Sequence, residues 1–246
     1  MPDTYEPPPH RQPRFHAWPA AEYDAALHLL DRQVVDVDGR QVAKVDDLEL
    51  TLDVDGRLVP TGLLVGLPAL LPRLGPRLGG LLARTHARVY DAQAHRTRPD
   101  VIDLAVVDAV SSEVHLSVPR AGLLRPREDG EPAPERWRLN DVLGLPVAAS
   151  RQTGIASGSR VLDVRLVPGE DGRPPAAGAL VVGPGRPGAL LGYDRHDHPG
   201  PWLVAHLVRW LHRHACVVEL GPAVDIDRDA GEVRVGREAS CRPLLG

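Results

Sequence analysis

The residues of this chain best suited to binding a metal lie in the segment GYDRHDHPGPWLVAHLVRWLHRHA (192–215). Imidazole and carboxylate groups are common ligands of zinc and other transition metals. The segment supplies both kinds, at positions Asp194, His196, Asp197, His198, His206, His212 and His214. Two ligands on one helix face must lie three or four residues apart, and Trp210 occupies that position relative to both His206 and His214. We therefore interpret the segment as a polar loop and a helix end and predict no metal and no cofactor.

A second candidate site is the arginine-rich segment 73–98. Its basic residues are opposed by Asp91 alone, and they are Arg73, Arg77, Arg84, Arg88, Arg96 and Arg98. A basic amphipathic helix can lie on an anionic membrane surface or on RNA. Tyr90 is the only aromatic residue in the segment, so base stacking has little support. The alternative is a solvated helix face whose arginine stems cover apolar surface. We assign possible partner binding to Arg73, Arg77, Arg84 and Arg88, and also to His196 and His198 of the first segment.

The residue types needed for covalent or acid–base catalysis occur in unfavourable contexts. GIASGS (154–159) lacks the Gly-x-Ser-x-Gly pattern of a nucleophile elbow. Cys216 lies in the apolar run ACVVEL, where a buried, inert thiol is expected. Asp46 and Asp47 point to opposite faces of a predicted strand, which favours two strand-edge residues over a catalytic dyad. We predict that the protein is not an enzyme and has no catalytic residues.

The elements that carry these segments are predicted to occur twice. An offset of 116 residues aligns Asp55-Gly56-Arg57 with 171–173 and also aligns Asp47 with Asp163. In each copy an alternating strand, KVDDLELTL or RVLDVRLV, precedes the Asp-Gly-Arg turn, and an apolar strand, TGLLVG or GALVVG, follows it. Such a turn predicts a hairpin. Apolar residues at helical spacing then predict an amphipathic helix near 77–92 and another near 201–214.

This order predicts the domain organisation of the chain. We expect a proline-rich tail at 1–24, a first domain at 25–119, a polar, proline-containing linker at 120–138 and a second domain at 139–246. Repeats of this length indicate whole domains rather than the short units of a solenoid.

Composition sets limits on the class of protein. The chain has 246 residues, of which 43% are hydrophobic, and a net charge of −4. A basic footprint typical of nucleic-acid binding is therefore lacking. The longest apolar stretch, TGLLVGLPALLP, is shorter than the roughly 20 residues that span a bilayer. Cys216 and Cys241 are far apart and form no CxxC pair, which suits a reducing compartment. These features predict a soluble, cytoplasmic protein with free cysteines.

The pattern resembles the PRC-barrel family. The resemblance rests on HLLDRQVVDVDGRQVAKVDDLEL (28–50) and, more faintly, on LNDVLGLPVAASRQTGIASGSRVLDVRLV (139–167). It implies a small, strongly bent β-barrel of the kind found in the reaction centre H subunit and in the ribosome maturation factor. The fold class we predict is mainly β: two small PRC-like β-barrels in tandem, each with an added amphipathic helix.

The resemblance implies binding and assembly rather than catalysis. We expect a non-enzymatic adaptor that mediates protein–protein assembly. Two alternatives remain open, namely a ribosome or RNA-processing assembly factor and a peripheral membrane or transporter-associated regulator. A protein partner is expected, a membrane surface is an alternative contact, and direct binding to nucleic acid is not expected. The sequence leaves the oligomeric state open.

Overall fold

The computed structural model describes residues 21–53, 56–74, 98–126, 136–169, 175–185 and 214–244. Strands dominate the described residues, which confirms the prediction of a mainly β protein. The described strands form open sheets and no closed barrel. The two predicted helices at 77–92 and 201–214 lie outside the described residues.

The strands are short and are numbered here in chain order. They are β1 (Tyr23–Asp24), β2 (Gln33–Val35), β3 (Gln41–Lys44), β4 (Asp47–Leu52), β5 (Leu58–Val65), β6 (Asp100–Asp103), β7 (Val107–Val110), β8 (Val114–Leu116), β9 (Arg125–Pro126), β10 (Arg136–Arg138), β11 (Val147–Ala149), β12 (Arg160–Val167), β13 (Ala176–Gly183), β14 (Cys216–Glu219), β15 (Val224–Asp227), β16 (Glu232–Val235) and β17 (Cys241–Pro243). The described α-helices are α1 (Ala25–Leu29), α2 (Leu67–Leu70) and α3 (Leu139–Val142). Single 3₁₀ turns occur at Leu71–Leu74, Leu104–Val106 and Arg151–Thr153.

The chain forms two compact units that do not follow the order of the sequence. The described part of unit 1 is mainly Leu29–Asn140. Unit 2 combines Glu22–His28 with Asp141–Val167 and the residues from Ala177 onward. Strand β1 therefore belongs to unit 2, although the elements that follow α1 belong to unit 1. Strand β10 belongs to unit 1, although the elements that follow α3 belong to unit 2.

Unit 1 contains a five-stranded sheet in the order β10-β4-β5-β6-β9 and a smaller sheet in the order β3-β2-β8-β7. In the smaller sheet β2 runs parallel to β8, and β7 and β8 form an antiparallel pair. Strands β9 and β10 lie within the stretch 120–138, so residues of the predicted linker pair with the main sheet.

Unit 2 contains a five-stranded sheet in the order β1-β12-β13-β14-β17 and a smaller sheet in the order β11-β16-β15. Here β11 runs parallel to β16, and β15 and β16 form an antiparallel pair. Position by position, the main sheet of unit 2 therefore has the same connectivity as that of unit 1.

The strands that flank the Asp-Gly-Arg turn of the first half form the predicted hairpin. Strands β4 and β5 are antiparallel, with Leu52 opposite Leu58. The Asp53 carboxylate accepts the backbone N–H of Arg57 at 2.8 Å, and Gly56 has φ of 75°, which glycine adopts at little cost. The corresponding turn at 171–173 lies outside the described residues.

Strand β4 is an inner strand, so the interpretation of Asp46 and Asp47 as strand-edge residues is wrong. β10 pairs with one side of β4 and β5 pairs with the other. Asp47 is the first residue of β4 and is fully buried, whereas Asp46 lies just before the strand. A register shift opposite Glu49 and Leu50 accommodates Pro60, which has no N–H to donate to a regular ladder.

The cores of both units are aliphatic. Leu64, Ala69 and Val101 pack together in unit 1. In unit 2, Leu162, Val181 and Ala215 pack together, and Leu244 covers them. These clusters join the central strands to the segments beside them, and the burial of their apolar surface stabilises the fold.

The prediction of free cysteines is wrong. Cys216 in β14 and Cys241 in β17 form a disulfide, with a Cα–Cα separation of 5.6 Å. The two strands are antiparallel neighbours, with Val218 opposite Cys241. Strand pairing thus brings together two cysteines that are 25 residues apart in the sequence, which spacing alone does not reveal.

Candidate functional site

Arg73 is the one predicted partner-binding residue that falls among the described residues, and an acidic side chain holds it. Its guanidinium donates to both carboxylate oxygens of Asp31, from Nη2 to Oδ2 at 2.9 Å and from Nη1 to Oδ1 at 3.2 Å. Nη1 also donates to the backbone oxygen of Asp46 at 3.4 Å. Two parallel bonds to one carboxylate fix the arginine in both position and direction.

Asp31 lies in the turn between α1 and β2. Its φ of 64° places it in the left-handed region, which aspartate tolerates better than most residues. The backbone N–H of Asp31 donates to the Val45 oxygen at 2.8 Å, and the Lys44 ammonium lies 3.6 Å from its carboxylate. The hydrogen bonds from Arg73 lower the pKa of Asp31. Asp31 therefore stays ionised and keeps its two cationic partners.

Asp46 completes the group that we call the ionic cluster, namely Asp31, Lys44, Asp46 and Arg73. The Asp46 carboxylate accepts the backbone N–H of Gly66 at 2.7 Å, at the start of α2. Burial raises the pKa of Asp46, and the Gly66 hydrogen bond only partly opposes this effect. The cluster thus links the ends of β3 and β5 to the 3₁₀ turn Leu71–Leu74.

The position of the ionic cluster explains what it does. Arg73 begins the arginine-rich segment, and its side chain is only 26% exposed because Asp31 covers it. The ion pair neutralises one of the positive charges that predicted a basic surface. The cluster can therefore anchor the first residue of the segment to unit 1, but it leaves Arg73 little freedom to bind a partner directly.

The two candidate segments occupy equivalent places in the two main sheets, because each connects the third strand of its sheet to the fourth. The arginine-rich segment lies between β5 and β6, which are adjacent and pair Val65 with Asp100. The histidine-rich segment lies between β13 and β14, which pair Val182 with Cys216. Antiparallel neighbours are usually joined by 2–5 residues, and much longer connections are often functional. In both units, the long connection leaves from the central strand of the sheet.

The other predicted site residues lie within these connections. Arg77, Arg84 and Arg88 belong to the first, and His196 and His198 belong to the second; all five lie outside the described residues. Their role remains a prediction from the sequence. The structure shows where each connection begins and ends, namely between β5 and β6 in unit 1 and between β13 and β14 in unit 2.

Sequence reasoning missed the acidic residues of the ionic cluster. Asp31 follows an apolar helix and Asp46 precedes a strand, so each fits an ordinary turn. The available signal was that Lys44, the only lysine of the chain, lies two residues from Asp46.

Within the described ranges, no group of three or more histidine, cysteine, aspartate or glutamate side chains could hold a metal ion. No α-helix in that same part of the chain is long and apolar enough to cross a membrane.

Comparison with protein-family models finds no match, and comparison with curated proteins finds no similar sequence. The resemblance to the PRC-barrel family therefore rests on the residues quoted above and remains a prediction.

Proposed function

We propose that this protein is a non-enzymatic adaptor of the tandem PRC-barrel type, which binds a protein partner through the long connections of its two units. The observation that carries the proposal is that both connections interrupt equivalent strand pairs, β5–β6 and β13–β14. Two related frameworks that each present a chemically distinct segment suit the assembly of partners. One segment is rich in arginine and the other in histidine.

The common connectivity of the two main sheets supports the view that the halves arose by duplication. Each sheet places a short strand at one edge, then a hairpin, then the strand that follows the long connection, and finally a second short strand. An internal repeat of this kind is consistent with tandem PRC-like modules.

A protein partner fits the charge of the molecule better than RNA does. The net charge is −4, and the ion pair with Asp31 neutralises the first arginine of the basic segment. Nucleic-acid binding draws most of its affinity from cations that remain available for phosphates. We keep the ribosomal assembly factor and the membrane-associated regulator as alternative outcomes of the test.

The predicted cytoplasmic location belongs to the same proposal, and the disulfide weighs against it. Disulfides persist mainly in oxidising compartments and are rare in the cytosol of most organisms. The oxidation state of Cys216 and Cys241 in protein isolated from its own cells therefore bears on where the partner should be sought.

The test is a pull-down of the tagged, full-length protein from lysate of its own cells. The variant replaces Arg77, Arg84 and Arg88 with alanine. The matched control makes the same change in charge at Arg40, Arg57 and Arg242, whose side chains are 65%, 51% and 61% exposed. We expect one stoichiometric protein partner with the wild type and with the control, and a loss of about tenfold or more with the variant.

Nuclease and detergent treatments separate the alternatives. Retention of the partner after both treatments supports the adaptor proposal. Loss with nuclease would favour the RNA-linked alternative, and loss with detergent would favour the membrane-associated one. Equal recovery with the variant and the control would show that the arginine-rich connection is not the binding segment.

A further inference from the structure

The two units exchange their first edge strands. In unit 2, β1 pairs with β12, so that Tyr23 lies opposite Leu166 and Asp24 lies opposite Arg165. In unit 1, β10 pairs with β4, so that Trp137 lies opposite Leu50 and Arg138 lies opposite Glu49. Each edge strand thus joins a sheet whose other strands come from the other half of the sequence.

In unit 2 the edge strand carries acidic residues, and Arg165 of β12 lies opposite one of them. Arg165 donates from Nε to Oδ1 of Asp24 at 2.9 Å and from Nη2 to Oδ2 at 3.3 Å. The Asp24 side chain is 4% exposed and that of Arg165 is 17% exposed. Glu22, two residues before Asp24, lies 3.8 Å from the same guanidinium. Two acidic residues of the segment therefore face one cation of the sheet.

In unit 1 the charges are reversed. Glu49 of the sheet is buried, and its Oε1 accepts the Thr61 hydroxyl at 3.1 Å. The register places Arg138 of the edge strand opposite Glu49, and the Nε of Arg136 lies 4.0 Å from Glu49 Oε2. Two basic residues of the segment therefore face one buried anion of the sheet.

Two other features of the edge strands are alike and do not distinguish them. Tyr23 is 3% exposed and Trp137 is 6% exposed, so each strand buries one aromatic residue. A buried aspartate then accepts backbone N–H groups of the helix that follows each strand. Asp163 accepts those of Ala26 and Leu27 in α1, and Asp47 accepts that of Asn140 in α3.

We propose that the opposite charges on the two edge strands determine which sheet each strand joins. The β12 edge recognises a strand with an aromatic residue followed by an acidic one, and the β4 edge recognises a strand with an aromatic residue followed by a basic one. This selection does not depend on the adaptor function proposed above.

The alternative pairing shows why charge is decisive. If β1 joined β4 in the register that β10 uses, Asp24 would face Glu49. If β10 joined β12, Arg138 would face Arg165. Like charges directly opposite one another destabilise a strand pair, and a repulsive element against the wrong partner is an effective source of specificity. The native exchange avoids both repulsions and places residues of opposite charge across from one another in both sheets.

Cross-linking of the full-length, oxidised protein can report which sheet β1 occupies. The native register continues to Glu22 opposite Val167, and both residues are exposed. In the alternative register Glu22 would lie opposite Thr51, which is partly exposed. A short bismaleimide would link Glu22→Cys to Val167→Cys or to Thr51→Cys. The disulfide protects the native cysteines from the reagent.

Three sets of charges make the test specific. With native charges, we expect the 22–167 link within one molecule and little 22–51 link. Exchanging the signs of the segments alone, with Asp24→Arg and Arg138→Glu, should lower the 22–167 yield about fivefold or more. Adding Arg165→Glu, Glu49→Arg and Arg136→Glu inverts the charges at both edges, except at position 22, which carries the cysteine probe in every variant, and should restore the yield.

Single changes provide a second measurement in case the segment-exchanged variant does not fold. Asp24→Asn removes the attraction without adding a repulsion, so its 22–167 yield should fall between those of native protein and Asp24→Arg. An unchanged yield in Asp24→Arg would overturn the proposal, as would failure of the fully inverted and folded variant to recover the native link.

Discussion

At the scale of single residues, the most consequential side chains are two buried aspartates at equivalent positions. Asp163 is 1% exposed and accepts the N–H groups of Ala26 at 2.8 Å, Leu27 at 3.1 Å and Val164 at 2.8 Å. The N–H groups of Ala26 and Leu27 belong to the first turn of α1, where backbone donors have no acceptor within the helix. Asp163 lies in β12 and thus takes the place of an N-cap residue for α1. The N–H groups that donate to its carboxylate stabilise the negative charge.

Replacing Asp163 with alanine should therefore cost far more than replacing an exposed aspartate. The change leaves three backbone N–H groups without this acceptor, one in the core and two in a partly buried place. We expect the free energy of unfolding to fall by about 2–3 kcal/mol. Chemical denaturation monitored by circular dichroism would measure this change.

Asp229→Ala is the matched control, because Asp229 is exposed in the same unit. It should change stability by less than about 0.5 kcal/mol. Similar effects for the two variants would show that Asp163 does not cap α1 in solution.

The sequence located this pair but did not reveal its role. The offset of 116 residues aligned Asp47 with Asp163. Their burial could not be inferred, because it depends on the helices that follow β1 and β10, and these come from distant parts of the chain. An aspartate near a strand end usually indicates a turn or an edge, and here the N–H groups of a packed helix override that expectation.

At the scale of elements, the disulfide stabilises the last edge of the unit 2 sheet. Strand β17 is only Cys241–Pro243, which is too short to hold its place by backbone pairing alone. The disulfide joins β17 to β14, and Leu244 then packs on the core cluster of unit 2. The covalent bond and the apolar contact thus hold the two ends of the segment Cys241–Leu244.

Reduction of this disulfide should destabilise the protein. A bond that closes a loop with a sequence separation of 25 is expected to contribute about 3 kcal/mol, mainly by restricting the unfolded chain. We expect a reducing agent to lower the melting temperature measured by calorimetry.

The double variant Cys216→Ala/Cys241→Ala serves as the control, because the reducing agent should not change its melting temperature. A wild-type protein that is equally stable with and without the reducing agent would contradict the contribution assigned to the disulfide.

Local elements were predictable where a few adjacent residues determine them. Strands β4 and β5 form the expected hairpin, and Asp53 and Gly56 beside its turn adopt the local geometry that aspartate and glycine favour. Strands β9 and β10 were not predicted, because the polar, proline-containing composition of 120–138 is typical of a linker. Their pairing with β6 and β4 gives these residues a structure that their composition does not favour.

At the scale of the whole molecule, the sequence predicted a repeated order of elements, and the two main sheets share their connectivity, but the exchange of edge strands was not predicted. Unit 1 begins at Leu29, only a few residues after Tyr23 and Asp24, and no neighbouring residue indicates that these two join unit 2. The contacts of β1 with unit 2 join residues more than 130 positions apart, as in the hydrogen bond between Arg165 and Asp24. Such pairings become visible only when the sheets are known.

The exchange leads to a prediction about truncation that the order of the chain would not suggest. Deleting residues 1–28 should destabilise the sheet of unit 2, which is built largely from the second half of the sequence, and spare that of unit 1. The deletion removes buried Tyr23, the carboxylate paired with Arg165, and the N–H groups that satisfy Asp163. Leu29, which is buried and assigned to unit 1, is retained.

Hydrogen exchange measured by mass spectrometry can compare the two sheets in one sample. We expect amides of β12 and β13 to exchange about tenfold faster or more after deletion of 1–28, while those of β4 and β5 change little, because local opening reports the loss of nearby contacts. Deletion of residues 1–20 is the matched control, since it leaves β1 in place and should preserve protection in β12. Faster exchange in β4 with unchanged β12 would mean that the N-terminal strand belongs to its own half in solution. The proposal that charge selects the sheet would then fail, because the native protein would contain no exchange of edge strands.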